Sequence, residues 1–343
     1  MSMSTGLPTY EQLFGDLDFK KGDDARSVYS PAAYLTDLLQ LLDDYFENAD
    51  LDGRRADIKD ILLNAENSFS QTPYLDIVNR ILEHKAGPNV YSDLRTARYP
   101  FNMPFDLAHE RAKLYLSFMQ VSPPDLFRQF LTEPDEQSRI KTARGVLGLS
   151  VQAYQKIVTP KSQSALAAYY GLANANELKF PFSVERFLQI TGLSGVQLRE
   201  LLFQQLSETS KNAKGETERT EASRFFIHQG FGGYASLDAN EEHIIWQAGA
   251  GESPFAAWQW FERVNRFVRL AQRTGVSFTD LDCILRQCCA NTLGHSQLGT
   301  LAVVLHLHQT YELPVDVVCS LISGKMNTLG QGYEKEPQDL FNR

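Results

Sequence analysis

The chain has 343 residues, of which 43% are hydrophobic and 22% are charged, and its formal net charge is −9. This length and composition are typical of a globular protein with more than one domain, and they exclude a fibrous or largely disordered chain. The negative charge disfavours general binding to nucleic acid or to an anionic membrane surface, and no apolar stretch approaches the roughly 20 residues that span a bilayer. The N-terminus lacks the charged and apolar segments of an export signal, which predicts synthesis in a cytoplasm.

A helix predicted over residues 30–46 is the element around which we expect the N-terminal part to be organised. Ser30 suits the N-cap and Pro31 suits the first helical position. Large apolar side chains then recur at a spacing that gives a broad apolar face: Tyr34, Leu35, Leu38, Leu39, Leu41, Leu42, Tyr45 and Phe46. Such a helix should be covered on most sides, so we expect it to form a bundle with helices predicted over residues 54–64 and 72–87.

An extended segment follows this bundle. Residues 88–105 contain three prolines and little periodicity, which predicts an extended chain held by Tyr99, Phe101 and Phe105. Further helices are predicted over residues 106–119 and 125–131. Residues 1–135 are therefore predicted to form an N-terminal helical bundle.

From residue 136 onward, one pattern occurs four times. Its anchors are Leu149, Leu193, Val276 and Leu313. Glycine precedes the first three anchors, serine follows them, and apolar residues stand five, eight and nine positions after all four. This pattern predicts a helix that ends at a glycine, a tight turn, a cap and a new amphipathic helix.

The anchors are separated by 44, 83 and 37 residues, and a period of roughly 40 is typical of helical-hairpin arrays. The irregular spacing also fits several similar hairpins in an ordinary helical domain. Residues 136–343 are thus predicted to form solenoid-like helical-hairpin pseudo-repeats, with a polar loop at 207–221. No strand pattern stands out, and the whole chain is predicted to be all-α without a substantial β-sheet.

Two residue groups imitate known sites without their full pattern. Gly230, Gly232 and Ala235 resemble a dinucleotide fingerprint, but no strand–helix–strand unit surrounds them, so we interpret them as a glycine-rich turn between helices. The cysteines lack a paired C-x-x-C motif, so zinc binding is disfavoured and reduced core thiols are expected: Cys283, Cys288, Cys289 and Cys319. We predict no catalytic residue, no metal ligand and no cofactor site, and therefore no enzyme.

The most distinctive surface feature is predicted on a helix over residues 254–272. A helical wheel places Trp260, Phe261, Val264 and Phe267 on one face, and it places Trp258 among Glu262, Arg266 and Arg269 on the opposite face. A tryptophan on a polar face either is covered by neighbouring helices or binds a partner. Trp258, Glu262, Arg266 and Arg269 are therefore the candidate protein interface.

Three sequence blocks resemble a known family. YSPAAYLTDLLQLL (29–42), RADIKDILLNAENSFSQTPYLDIVNRILE (55–83) and YPFNMPFDLAHERAKLYL (99–116) resemble, in this order, the N-terminal region of the A subunits of Tc toxin complexes of insect-pathogenic bacteria. The same region is known as a virulence-plasmid A-protein domain. The closing EPQDLFNR also resembles the segment that follows this region. The three blocks cover about the first third of the chain, and the remainder resembles the family only in its helical character.

The resemblance implies a function. Tc A subunits are large, bell-shaped pentamers that bind a target cell and inject an enzyme through a central channel, and their N-terminal portion belongs to an α-helical outer shell. The chain is therefore expected to be a non-enzymatic shell or scaffold region of an insecticidal toxin. Its expected partners are other segments or chains of the A subunit and, indirectly, the toxin B and C components.

The resemblance also sets the limits of that expectation. The chain shows no resemblance to the family's channel helices, receptor-binding β-domains or sialidase-like segment, so we expect a piece of a longer subunit or the product of a split gene. We expect no membrane insertion by this chain, no nucleic acid, and release or surface attachment of the complex. The alternative is a free-standing helical-repeat adaptor that binds a protein partner.

Overall fold

The computed structural model describes residues 23–45, 53, 58, 61–130, 135–203, 225–248 and 256–325. Contacts divide the chain into two compact units, residues 1–90 and 91–343. The polar loop predicted at 207–221 and the closing EPQDLFNR segment lie outside the described residues, as does most of the helix predicted over 54–64. The division predicted after residue 135 rests on sequence motifs and stays a prediction.

The chain is mostly helical, as predicted. The first unit contains helices α1 (Pro31–Tyr45), α2 (Ala65–Phe69) and α3 (Tyr74–Ala86), and α4 (Val90–Thr96) begins at its last residue. The helices of the second unit are α5 (Leu107–Phe118), α6 (Pro123–Phe130), α7 (Glu136–Val146), α8 (Val151–Val158), α9 (Gln163–Leu166), α10 (Val184–Thr191), α11 (Gly195–Leu202), α12 (Ala257–Thr274), α13 (Phe278–Cys288), α14 (His295–Tyr311) and α15 (Val315–Ser323). None of the helices in this described part is both long and apolar enough to cross a bilayer.

Helix α1 forms where the sequence predicts it, and the Ser30 hydroxyl oxygen accepts the Ala33 N–H at 3.1 Å. Its predicted central burial is wrong. Ala32 is the buried residue among the described residues of the helix, whereas Tyr34 is 70% exposed and Tyr45 is 75% exposed. Among the described elements, α1 packs against the short α2 and a 3-10 turn at Asp23–Arg26.

Residues 88–105 were predicted to be extended, but only the second half of this segment lacks a helix. Residues 90–96 form helix α4, and residues 97–105 then run without regular structure through cis peptide bonds at Tyr99-Pro100 and Met103-Pro104. Phe101 is buried as predicted, but Tyr99 is 43% exposed. Below, residues 98–104 are called the motif segment.

The predicted helix–turn–helix junctions have the local structure that the sequence indicates. The residue before each anchor has a left-handed backbone, with φ of 62° at Gly148, 70° at Gly192, 70° at Gly275 and 53° at Glu312. The serines after the first three anchors cap the next helix: Ser150 accepts from Ala153, Ser194 from Gln197 and Ser277 from Asp280. Glycine supplies the left-handed turn without strain, and serine satisfies a free amide of the first turn.

A small antiparallel sheet departs from the all-α prediction. Strands β1 (Phe182–Ser183), β2 (Gly233–Leu237) and β3 (His243–Ala248) are ordered β1-β3-β2. The prediction of a glycine-rich turn between helices at residues 230–235 is therefore wrong, because this turn leads into a hairpin. Gly233 is required there, since a Cβ atom would lie 2.1 Å from the Gln247 carbonyl oxygen across the hairpin.

Helix α12, rather than α1, is central to a large core. Trp260, Phe261, Val264, Phe267 and Val268 have no exposed surface, and they join one apolar cluster in the second unit that draws on residues 101–319. Burial of several large side chains on one helix contributes about 1.5–3 kcal/mol each. The second unit is thus assembled on the apolar face predicted for residues 254–272.

Candidate interface around helix α12

The polar face of α12 is not at the surface. Glu262, Arg266 and Arg269 are 7%, 8% and 2% exposed, and Trp258 is half-buried and packs against the apolar core. Of the two interpretations of this face, cover by neighbouring parts of the chain agrees with the burial of Glu262, Arg266 and Arg269. Helical amphipathicity misleads here because charged side chains are buried when each finds a partner.

Glu262 and Arg266 form one buried pair. Arg266 Nε lies 2.8 Å from Glu262 Oε1, which also accepts the Lys161 backbone N–H at 3.1 Å. Arg266 Nη1 donates to the Leu293 carbonyl oxygen at 2.8 Å. The pair thus joins α12 to the chain after α8 and to the loop before α14. Both side chains are used to hold these backbone segments in place, not to bind a ligand.

Arg269 binds the motif segment. Its guanidinium donates to the carbonyl oxygens of Arg98, Phe101 and Met103, with 3.1 Å from Nη1 to the Phe101 oxygen. It also lies over the Phe101 ring, 4.7 Å from the centroid. Burial lowers the pKa of Arg269 to about 10, so it stays protonated at neutral pH.

Arg273 extends this arrangement by one helical turn. It donates to the carbonyl oxygens of Asn102 and Pro104, the latter at 2.5 Å. A guanidinium offers five donors in a planar fork, so two such groups can bind several carbonyls that no regular structure pairs. Arg269 and Arg273 with these carbonyls are called the arginine clamp. Its arrangement suits backbone positioning and supplies no nucleophile or acid–base pair.

A groove of about 990 Å³ lies beside α7 and α14. Apolar or small side chains line much of it, including Phe127, Ile140, Ala143, Gly299 and Val303, with His306 at its wall. His295 also lines the groove, and its Nδ1 lies 2.8 Å from the Tyr154 hydroxyl oxygen. The groove could accept an apolar segment, and sequence reasoning gave no signal of it because it forms between helices distant in the chain.

The residues that imitate known sites are not assembled into those sites. Gly230 and Gly232 precede β2, and Ala235 lies within it, in an antiparallel sheet rather than a parallel strand–helix–strand unit. The four cysteines are free thiols, and Cys283, Cys289 and Cys319 are buried as expected. Across the described ranges, no group of three or more His, Cys, Asp or Glu residues is arranged to hold a metal ion.

Sequence reasoning missed a buried histidine. His228 has no exposed surface, and its Nδ1 accepts the Ala235 N–H at 3.1 Å, which joins the turn to β2. Burial and the nearby charge of Arg263 together lower its pKa to about 3, so the imidazole is neutral at neutral pH. The signal lay in its position directly after the apolar run Phe225–Ile227.

Large apolar side chains are exposed in both units. In the first unit they include Tyr29 at 95%, Tyr74 at 77% and Leu75 at 71%, and in the second unit they include Phe118 at 88%. Single exposed apolar residues are ordinary, but a concentration of large ones marks surfaces that bind other protein.

Comparison with known protein families matches the N-terminal part of the chain. Residues 1–148 match the family described as Salmonella virulence plasmid 28.1kDa A protein. No curated protein matches the chain, and no solved structure matches it. The N-terminal resemblance to a virulence-plasmid A-protein domain is thereby confirmed.

Proposed function

We propose that this chain, which carries a virulence-plasmid A-protein domain in residues 1–148, is a non-enzymatic shell or scaffold region of a Tc-type toxin A subunit. The family match is the observation that carries the proposal, and it supports a virulence-associated role. The ordered sequence blocks extend the proposal to the Tc complexes, in which the chain would take part in cell attachment and translocation without inserting into the membrane itself.

Exposed apolar surface supports a role in assembly. Tyr74 and Leu75 project from α3, and no described residue of that helix is buried. A face of this kind is stabilised when further protein covers it. We assign that covering to other segments or chains of the A subunit in a pentamer, to which the B and C components would add indirectly, with release of the complex from the cell that makes it.

The construction around α12 supports a structural role. Its buried polar side chains bind backbone carbonyls and each other, so they hold segments in place. We further propose that the first part of the chain completes a helical bundle on assembly, and that the capped hairpins stack as solenoid-like pseudo-repeats.

The test is the particle mass in solution, measured by light scattering. The chain is measured alone and after mixing with the polypeptide encoded beside it, as wild type and as Leu75→Asp. Val196→Asp is the matched control, because Val196 is 73% exposed and Leu75 is 71% exposed. We expect wild type and the control to enter a very large particle only in the mixture, and Leu75→Asp to enter it at least tenfold less. A folded wild-type chain that ignores its neighbour would refute the toxin-subunit proposal.

The groove beside α7 and α14 favours a second candidate function, a free-standing adaptor that binds an apolar helix or peptide. Val303 lines the groove and is 53% exposed. Under this alternative Val303→Glu would abolish capture of a partner, and Val196→Glu would not. Under the shell proposal, both variants would assemble as wild type does.

A further inference from the structure

Four cationic side chains surround the ring of Tyr169 in the second unit. The distances from the ring centroid are 5.9 Å to Arg98 Cζ, 5.6 Å to Lys156 Nζ, 5.6 Å to Lys161 Nζ and 5.5 Å to Arg269 Cζ. They come from four parts of the chain, which are the motif segment, α8, the loop after α8, and α12. The fold thus gathers them around one point, and together they are called the cation cluster.

The chain supplies little negative charge to the cation cluster. Within the described ranges, no carboxylate forms an ion pair with any of its four side chains. Glu262 accepts the Lys161 backbone N–H, but its Oε1 is already paired with Arg266 Nε at 2.8 Å. The Tyr169 ring attracts cations, yet separations of 5.5–5.9 Å lie near the outer limit of about 6 Å for this interaction. The four like charges are therefore only weakly compensated.

The cation cluster keeps donors for a ligand. Each lysine donates to one backbone carbonyl oxygen, Lys156 Nζ to that of Thr96 at 3.1 Å and Lys161 Nζ to that of Thr159. An ammonium group has three donors, so these bonds leave two on each lysine. Both lysines are half-buried and Arg98 is exposed. The cluster is therefore partly enclosed and still open to solvent on the side of Arg98.

The acidity of Lys156 agrees with this uncompensated charge. Burial and the three neighbouring cations lower the pKa of Lys156 to about 8. Burial also lowers the pKa of Lys161, which the charge of Glu262 opposes. An anion bound between the two ammonium groups would reverse both effects, because nearby negative charge stabilises a protonated amine.

We propose that Arg98, Lys156 and Lys161 bind a phosphate dianion beside Tyr169, either as the free ion or as the phosphoryl group of a small monoester. A dianion offsets more of the cluster's charge than a carboxylate does, and its oxygens accept from several charged donors at once. A small ligand fits better than nucleic acid or an anionic membrane, since the net charge of −9 repels extended anionic surfaces. This site goes beyond the proposed function and does not depend on it.

Isothermal titration calorimetry of the full chain at constant ionic strength tests the ligand. The probes are inorganic phosphate, glycerol phosphate and acetate. We expect phosphate to bind at least tenfold more tightly than acetate. Binding of glycerol phosphate as well would assign the site to a monoester, and binding of phosphate alone would assign it to the free ion. Failure of both phosphate probes to bind, or acetate binding equal to that of phosphate, would overturn the proposal.

Substitutions test the residues. Lys156→Gln and Lys161→Gln should each weaken phosphate binding about tenfold, because each removes one charged donor. Lys179→Gln is the matched control, since Lys179 is exposed and does not belong to the cation cluster. Circular dichroism verifies that each variant is folded. Equal weakening by all three substitutions would show that phosphate binds through general charge alone, and it would refute the assignment.

Amine labelling of wild type tests the same site without a substitution, so it decides the matter if a variant fails to fold. Acetic anhydride labels the lysines in chloride or in phosphate at equal ionic strength, and mass spectrometry gives the rate at each position. Phosphate should slow labelling of Lys156 and Lys161 at least fivefold, because the bound anion covers both amines and favours their protonated form. The rate at Lys179 should not change. Rates at Lys156 that are the same in both salts would overturn the site.

Discussion

Removal of the Arg269 guanidinium should release the motif segment. The variant Arg269→Met keeps a long apolar stem of similar length and deletes the donors to the carbonyl oxygens of Arg98, Phe101 and Met103. These carbonyls lie at or below the surface of the second unit, and Phe101 is 1% exposed. Each carbonyl that loses its donor must find water or stay unpaired, so the segment should open locally.

The loss of stability expected for Arg269→Met follows from two opposing contributions. Three hydrogen bonds to a charged donor contribute about 1.5–3 kcal/mol each, or roughly 6 kcal/mol together. Burial lowers the pKa of Arg269 from 12.5 to about 10, which at 1.36 kcal/mol per unit corresponds to about 3 kcal/mol of desolvation that the substitution removes. The net destabilisation is therefore about 3 kcal/mol. For a unit of this size it lowers the melting temperature by about 10 °C.

Thermal unfolding and limited trypsin digestion measure the two consequences. Arg269→Met should melt lower than wild type, and cleavage after Arg98 should become at least tenfold faster, because the clamp no longer holds that backbone. Arg199→Met is the control, since Arg199 pairs with Glu241 at the surface and its loss should cost under about 0.5 kcal/mol. An Arg269→Met variant with wild-type melting and wild-type cleavage would show that the clamp does not restrain the segment.

Three further outcomes are expected. His228 stays neutral in the fold, so its contribution to the free energy of unfolding is fully present above pH 6.5 and is lost as the pH falls toward its folded pKa of about 3. At pH 5 this loss of stability is about 2 kcal/mol. Chemical unfolding at pH 7.5 and at pH 5 should show the loss in wild type but not in His228→Gln. Leu201→Ala should cost about 3 kcal/mol in the same assay, because Leu201 has no exposed surface, whereas Leu321→Ala at 72% exposure should change stability little. Gly192→Ala should lower the free energy of unfolding by about 1 kcal/mol, because φ at this residue is +70°. Gly195→Ala should be neutral or stabilising, because Gly195 is the first residue of a helix and has open space around it. Equal effects of the two variants would contradict the requirement for a left-handed residue at position 192.

The capped junctions were predictable because each is determined by a few neighbouring residues. A left-handed glycine such as Gly192 followed by the N-cap Ser194 specifies a turn and a new helix without reference to the rest of the chain. The hairpin was not predictable in this way. Strand β2 contains small residues such as Gly233 and Ala235, and it is stabilised by pairing with β3 and by the bond from Ala235 to His228.

The helical wheel for residues 254–272 predicts the buried apolar face, but it does not show whether the polar face is exposed or covered. Trp260 and Phe261 are buried because both apolarity and period indicate the core. A helical wheel describes one helix alone and cannot predict the burial of Arg269, because its partners are backbone carbonyls about 170 residues earlier in the chain. A pattern of charges reveals solvent exposure only where no such partners exist.

The arginine clamp shows that the end of the family match differs from the boundary of the folded unit. The family match ends at residue 148, but the contact division falls after residue 90. Phe101, Ala143 and Leu147 belong to the apolar cluster that includes Trp260 of α12, far beyond the match. Residues 91–148 of the matched region therefore belong to the second unit, where Arg269 and Arg273 fix the backbone of the motif segment. A family boundary drawn from sequence thus cuts through one core, and the downstream helices complete the domain that the match begins.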